Sequence, residues 1–260
     1  MLRRIALALP FLITRRATAL ELPAQSQQGG LLLGHGAQGL RLALDGRPVR
    51  VSPAGDFVLG FGRNHAAEAT LSINGRDTRR IAITPRRWDV QNITGLPPAQ
   101  VTPDATTLER IQQERVRLTA VRAADSPRTD FTQPFAWPAR GRISGVYGSQ
   151  RVLNGQPRQP HYGLDVAGPV GTPIAAALGG RVSLAADFHF FGKLIVLDHG
   201  HGVNTLYAHL SAHDVTEGMD VAQGARIGAM GATGRVTGPH LHFSLGWYQT
   251  WLDPQPLLPA

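Results

Sequence analysis

Three short stretches of this 260-residue chain space histidine and aspartate so that they could hold a metal ion. In "PHYGLDVAG", His161 and Asp165 stand four residues apart, and on an extended backbone both project to one side. Gly163 lies between them and has no side chain to block the approach. In "PHLHF", His240 and His242 share a face by the same alternation. "VNTLYAHLS" supplies His209, whose expected neighbours on its face are Thr205 and Tyr207. Convergence of these edges would make a site of two histidines and one carboxylate, a donor set that catalytic zinc uses, with a fourth position left for water. The chain contains no cysteine, so histidine and carboxylate are the donors that a metal must use.

A single histidine in a strand is ordinarily a hydrogen-bonded structural residue. The doubling, His161 with Asp165 and His240 with His242 in one region, is what argues for a metal. His189, His199, His201 and His213 stand in or beside turn sequences and are expected to be structural or exposed. His35 and His65 have no second donor nearby in the sequence and are expected at the surface or in turns. The glycine-rich "GAMGATGRVTGPH" does not fit a phosphate-binding loop, because it lacks lysine and leads into "HLHF" instead of a helix.

The elements that must position these groups are strands. Residues 131–260 alternate short apolar runs with glycine turns, among them "RISGVYG", "KLIVLDHG" and "ARIGAMG", and read as an all-β domain. Residues 29–95 read as a small antiparallel β-domain without chemistry of its own, since Asp45-Gly46 and Asn74-Gly75 fall between alternating segments as hairpin signals. Between them, residues 96–130 read as a connector. Its helix is signalled by Leu108, Ile111, Leu118 and Val121 at helical spacing behind a Pro103-Asp104 start. Residues 20–28 are expected to be a linker. Residues 1–19 read as a signal peptide: Arg3 and Arg4 precede the apolar run Ile5 to Thr14, and Ala17-Thr18-Ala19 supplies small residues for cleavage. That run falls short of the roughly 20 residues a membrane span requires. Arg15 and Arg16 after it are atypical of an export signal. The expected location is the periplasm or cell envelope.

Composition sets outer bounds. Hydrophobic residues at 42% against 17% charged describe a folded chain, not a disordered one. The 26 basic residues outnumber 18 acidic ones, Lys193 is the single lysine, and such a surface favours anionic partners. No basic helix with interleaved aromatics is present, so nucleic acid is not an expected partner.

Taken together, "HYGLDVA", "GTPIAAALGGRV", "LYAHLS" and "GATGRVTGPHLHF" resemble the lysostaphin/LytM-type family of zinc metallopeptidases. The likeness covers residues 131–255. It implies a β-sandwich-like catalytic domain of the duplicated-hybrid-motif type, preceded here by the small β-domain and helix. It implies Zn2+ as cofactor, with His161, Asp165 and His242 as ligands, and His209 and His240 as catalytic imidazoles off the metal. The implied activity is that of a peptidoglycan endopeptidase, with zinc-bound water attacking peptide cross-links. The loop "QRVLNGQPRQP" matches nothing that would assign an oxyanion donor or a specificity residue. Relatives that have lost the metal site act as envelope adaptors activating other wall hydrolases through protein contact, but this chain keeps all five groups. The N-terminal β-domain could in turn contact envelope proteins.

Overall fold

Strands account for nearly all the regular structure of the computed structural model, which describes residues 19–95 and 103–260. The expected leader lies outside the described residues apart from Ala19, as do residues 96–102 of the connector. Among the described residues, eight strands precede a helix: β1 Gln25–Gln27, β2 Leu31–Gly34, β3 Leu42–Leu44, β4 Arg47–Val49, β5 Phe57–Gly60, β6 Glu68–Ile73, β7 Asp77–Thr84 and β8 Val90–Ile93. Helix α1 spans Ala105–Arg122. There follow β9 Arg142–Gly145, β10 Gln150–Leu153, β11 Gln156–Pro157, β12 Leu164–Ala167, β13 Pro173–Ala175 and β14 Gly180–Phe188. The chain continues with β15 Gly192–Gly200, β16 Val203–His213, β17 Asp220–Val221, β18 Arg226–Met230, β19 His240–Trp247 and β20 Thr250–Leu252.

The hairpin signals act as expected. Asp45-Gly46 closes β3–β4 and Asn74-Gly75 closes β6–β7, with φ of 47°, 82°, 55° and 70° at the four turn residues. Left-handed backbone at both central positions matches the twist of the flanking strands. The stretch expected as a linker, residues 20–28, contributes β1, which runs parallel to β7. Gln25-Ser26-Gln27 carries no apolar alternation, and backbone pairing with Ala82–Thr84 recruits it instead.

The second half is built on one antiparallel path, β17-β14-β15-β16-β19-β12-β9, with β18 linking β16 to β13 and β20 pairing with β19. Its central strands are buried on both faces, which is why "KLIVLDHG" is almost continuously apolar. Ile195, Leu197 and Tyr207 enter the main core, while Leu194, Val196, Leu206 and Ala208 form a second cluster on the opposite face. Helix α1 covers that second cluster with Leu118 and Val121. Asp104 caps it by accepting the Thr107 N–H at 2.7 Å. Only the C-terminal part of its apolar stripe is engaged, since Leu108 is 52% exposed.

The last helical residue anchors α1. Arg122 is buried, donates to Asn204 Oδ1 at 3.2 Å and the Tyr248 carbonyl at 3.0 Å, and stacks 3.3 Å over the Trp251 ring. Burial lowers its pKa to about 9, and among the described residues it has no ion-pair partner. Arg122→Ala is expected to lower unfolding stability by about 2–4 kcal/mol, because buried acceptors lose a charged donor and the aromatic face loses its cover. Urea unfolding measures this, and a loss within the scatter of neutral surface changes would show that the helix end is not anchored here.

The two halves share a core. Phe57, Leu59 and Phe61 belong to the same buried cluster as Trp247, Tyr248 and Leu252. A Cβ added at Gly60 would meet Trp247 Cβ at 2.8 Å. Arg47 stacks 4.0 Å over Tyr248, Arg86 pairs with buried Asp253 at 2.7 Å, and β8 runs parallel to β10.

Candidate metal centre

Pairing between β12 and β19 sets the first part of the site. Asp165 lies opposite His242 and Ala167 opposite His240, so Asp165, His240 and His242 project from one face of the sheet. His161 precedes β12 and reaches the same point. His161 Nε2 is 2.9 Å from Asp165 Oδ1 and 3.0 Å from His242 Nδ1, and His242 Nδ1 is 2.8 Å from Asp165 Oδ1. Space for this comes from two glycines. A Cβ at Gly163 would meet the His242 ring at 2.6 Å, and one at Gly145, opposite Asp165 on β9, would collide with the carboxylate.

The hydrogen bonds behind the rings show what the three atoms need. His161 Nδ1 lies 3.0 Å from the Val146 carbonyl, which can only accept, so Nδ1 carries the proton. A neutral His161 ring therefore turns a lone pair at Nε2 towards Asp165 and His242. His242 Nε2 meets Ser244 Oγ at 2.8 Å, leaving Nδ1 for the centre. Burial lowers the His242 pKa to about 4, so its ring is neutral at pH 7. Burial pushes the Asp165 carboxyl up, but the His161 and His242 rings set against it outweigh this and hold it well below the usual carboxylate range, so it is ionised at pH 7. Acceptors from three buried side chains thus converge within 3.0 Å of one another, an arrangement that a shared cation satisfies. The donor set fits a metal ion.

His209 and His240 stand beside this centre. Their ring centroids are 4.8 Å apart, and His209 lies 5.9 Å from His242. Each fixes its tautomer through a carbonyl: His209 Nδ1 donates to Thr233 O and His240 Nδ1 to Gly238 O, both at 2.9 Å, so both Nε2 atoms are free for chemistry. His240 Nε2 is 3.8 Å from Asp165 Oδ1. Burial, reinforced by His242 and His240, lowers the His209 pKa to about 3.

The expectation that Thr205 and Tyr207 flank His209 on its face is corrected by the structure. Tyr207 points into the main core, where its hydroxyl accepts from Ala177 N at 2.9 Å and from Thr205 at 3.1 Å. His209 has φ +63°, and the β15–β16 register shifts beside it. This bulge turns the ring onto the face carrying His242, breaking the alternation that the expectation assumed. The other histidines lie away from the metal cluster. His199, for example, is fully buried and bonds Gly179 O and Thr205 Oγ1.

The centre opens into a groove with two lobes. One, of about 680 Å³, runs beneath α1, whose Ile111 and Leu118 line it with Phe188 and Trp251; the other, of about 380 Å³, is bounded by Gln91 and Asn92 of β8. Both lobes are lined by Arg151 and Arg235. Arg151 Nη2 is 3.3 Å from Asp165 Oδ2. The residue patterns did not single out Arg151, Arg235 or Ser244. Ser244 was within reach, since it is two residues beyond His242 on the same face; the arginines carried no such signal.

Comparison with known proteins agrees with this geometry. Residues 159–254 match the model of Peptidase family M23. Peptidoglycan DD-endopeptidase ShyA of Vibrio cholerae is 40% identical over 114 residues, covering 44% of this chain and 26% of that protein. Cell division protein DipM of Caulobacter vibrioides is 37% identical over 128 residues, covering 48% and 20%. The chain thus spans only about a quarter of the length of these curated relatives. A crystal structure from Pseudomonas aeruginosa assigned to peptidase M23 superposes with a TM-score of 0.69 at 29% identity, covering 88% of this chain and 92% of that one. With the site residues His161, Asp165 and His242 inside the matched segment, the chain carries a peptidase family M23 domain of the LytM/lysostaphin type.

Proposed function

We propose that the chain is a zinc endopeptidase that hydrolyses peptide cross-links of bacterial peptidoglycan in the cell envelope. The observation that carries this reading is the convergence of His161 Nε2, Asp165 Oδ1 and His242 Nδ1 within 3.0 Å beside two tautomer-fixed imidazoles. When bound, zinc polarises a scissile carbonyl and lowers the pKa of water towards about 7. His209, held neutral by burial, takes a proton at Nε2 and delivers it to the leaving amine. His240, its ring fixed through Gly238, would orient the attacking water. The open groove suits an extended peptide better than a single deep pocket would.

Incubation of the purified zinc-loaded chain with cross-linked sacculi, followed by mass spectrometry, tests the proposal. Dimeric muropeptides are expected to fall and monomers to rise, with the glycan uncut. Unchanged dimers with zinc bound would overturn the enzyme reading in favour of an adaptor that works through protein contact.

A further inference from the structure

Helix α1 lies ahead of residues 159–254, the segment matched by the family model, yet two of its side chains hold a turn that reaches His209. The turn, residues 189–191, joins β14 to β15. On one flank Arg110 Nη2 donates to the Asp187 carbonyl at 3.2 Å. On the other, the Glu114 carboxylate accepts the His189 N–H with both oxygens, at 3.0 and 2.9 Å. Arg110 and Glu114 stand one helical turn apart and pair at 2.6 Å, and the Glu114 side chain is only 13% exposed.

The inner side of the same turn restrains His209. Phe191 O accepts the His209 N–H at 2.8 Å. Thr233 O accepts His209 Nδ1, while Thr233 Oγ1 accepts the Lys193 N–H at 3.0 Å and donates to Leu210 O at 2.8 Å. The turn packs on that second restraint without slack: a Cβ at Gly234 would meet Phe190 O at 2.5 Å, and one at Gly192 would collide with Thr233. The left-handed backbone of His209, φ +63°, persists only where its surroundings over-determine it, and the bond to Phe191 is one of those restraints.

We propose that Glu114, acting through the β14–β15 turn, is a positioning residue for His209, so that a helix upstream of the peptidase segment sets the efficiency of proton transfer. The inference rests on the peptidase reading above. Without the carboxylate, the His189 N–H loses its acceptor, the turn loses its outer anchor, and Phe191 O no longer holds the His209 backbone at one place.

Kinetics of the zinc-loaded full chain on dimeric muropeptides test this. Glu114→Ala is expected to lower kcat by about 10- to 100-fold, the scale of a misplaced reacting group, with KM and zinc content unchanged. Glu114→Gln keeps an oxygen for the His189 N–H and should recover most of the loss. Glu109→Ala removes an exposed acid from the same helix and should leave kcat unaltered. Should the alanine variant not fold, Glu114→Asp, one methylene short of the turn, takes its place. Unchanged kcat in the folded variant, or a loss that Glu114→Gln does not recover, would overturn the proposal. If the parent chain cuts no dimer, the peptidase reading fails, and amide hydrogen exchange at His209 decides the positioning role. Faster exchange in Glu114→Ala but not in Glu114→Gln supports it, and equal exchange in all three chains rules it out.

Discussion

Zinc content is expected to fall from one ion per chain to none when His161, Asp165 or His242 is replaced by alanine. The reason lies in the donor count. Three protein atoms lie 2.8–3.0 Å from one another, and each substitution leaves only two of them. Three protein ligands with one open position are the pattern of catalytic zinc, and a second vacancy filled by water does not replace a charged or imidazole donor. Ser244→Ala removes the hydrogen bond behind His242 without removing a ligand, and should weaken zinc binding by about 10- to 100-fold. Metal analysis after gel filtration, with competition against a chelating dye for the serine variant, reads both effects. A full zinc complement in any of the three alanine variants would remove that residue from the ligand set.

His209→Ala and His240→Ala should behave in the opposite way, retaining zinc while turnover drops by roughly 10²-fold or more, the usual scale for losing positioned acid–base help. His209 sits among His242, His240 and the Thr233 carbonyl, close to the donors without being one of the three converging atoms. Its pKa of about 3 gives the pH profile a sign. The ring stays neutral as pH falls through the ordinary imidazole range near 6.5, so protonation of His209 should contribute no acid limb to kcat/KM in that range. Loss of zinc from the His240 variant with retention in the His242 variant would exchange the roles of that pair.

Much of the centre was legible because alternation is a reliable guide on regular strands. Asp165, His240 and His242 lie on β12 and β19 in unbroken register, so same-face spacing sufficed. His209 was legible as a residue but not as a direction, because a single left-handed backbone angle reverses the face. Arg151 and Arg235 were not legible, since one lies on the short strand β10 and the other in a turn-rich segment, neither with a chemical pattern around it, and they line one groove only through tertiary folding. The intimacy of the two halves was hidden for a related reason. The apolar pattern of Trp247, Tyr248 and Leu252 announces burial but does not name Phe57 and Leu59 as the surface that buries them. β8, polar at Gln91 and Asn92, likewise shows no sign in its sequence of the β10 strand it pairs with.

The left-handed conformation of His209 places stability and chemistry in opposition at one codon. Away from glycine and asparagine, such a backbone costs roughly 1–2 kcal/mol, and histidine tolerates it better than most residues. Selection for a sturdier fold alone would drift position 209 towards glycine, which adopts φ +63° without penalty and also discards the imidazole. On the proposed function, a lineage freed from hydrolysis is therefore drawn towards losing this ring while the three-donor cluster stays in place, since His161, Asp165 and His242 are not among the left-handed residues. If the proposed role of His209 holds, retention of histidine at the bulge marks selection for turnover, whereas retention of the metal donors alone is compatible with a chain kept for its shape.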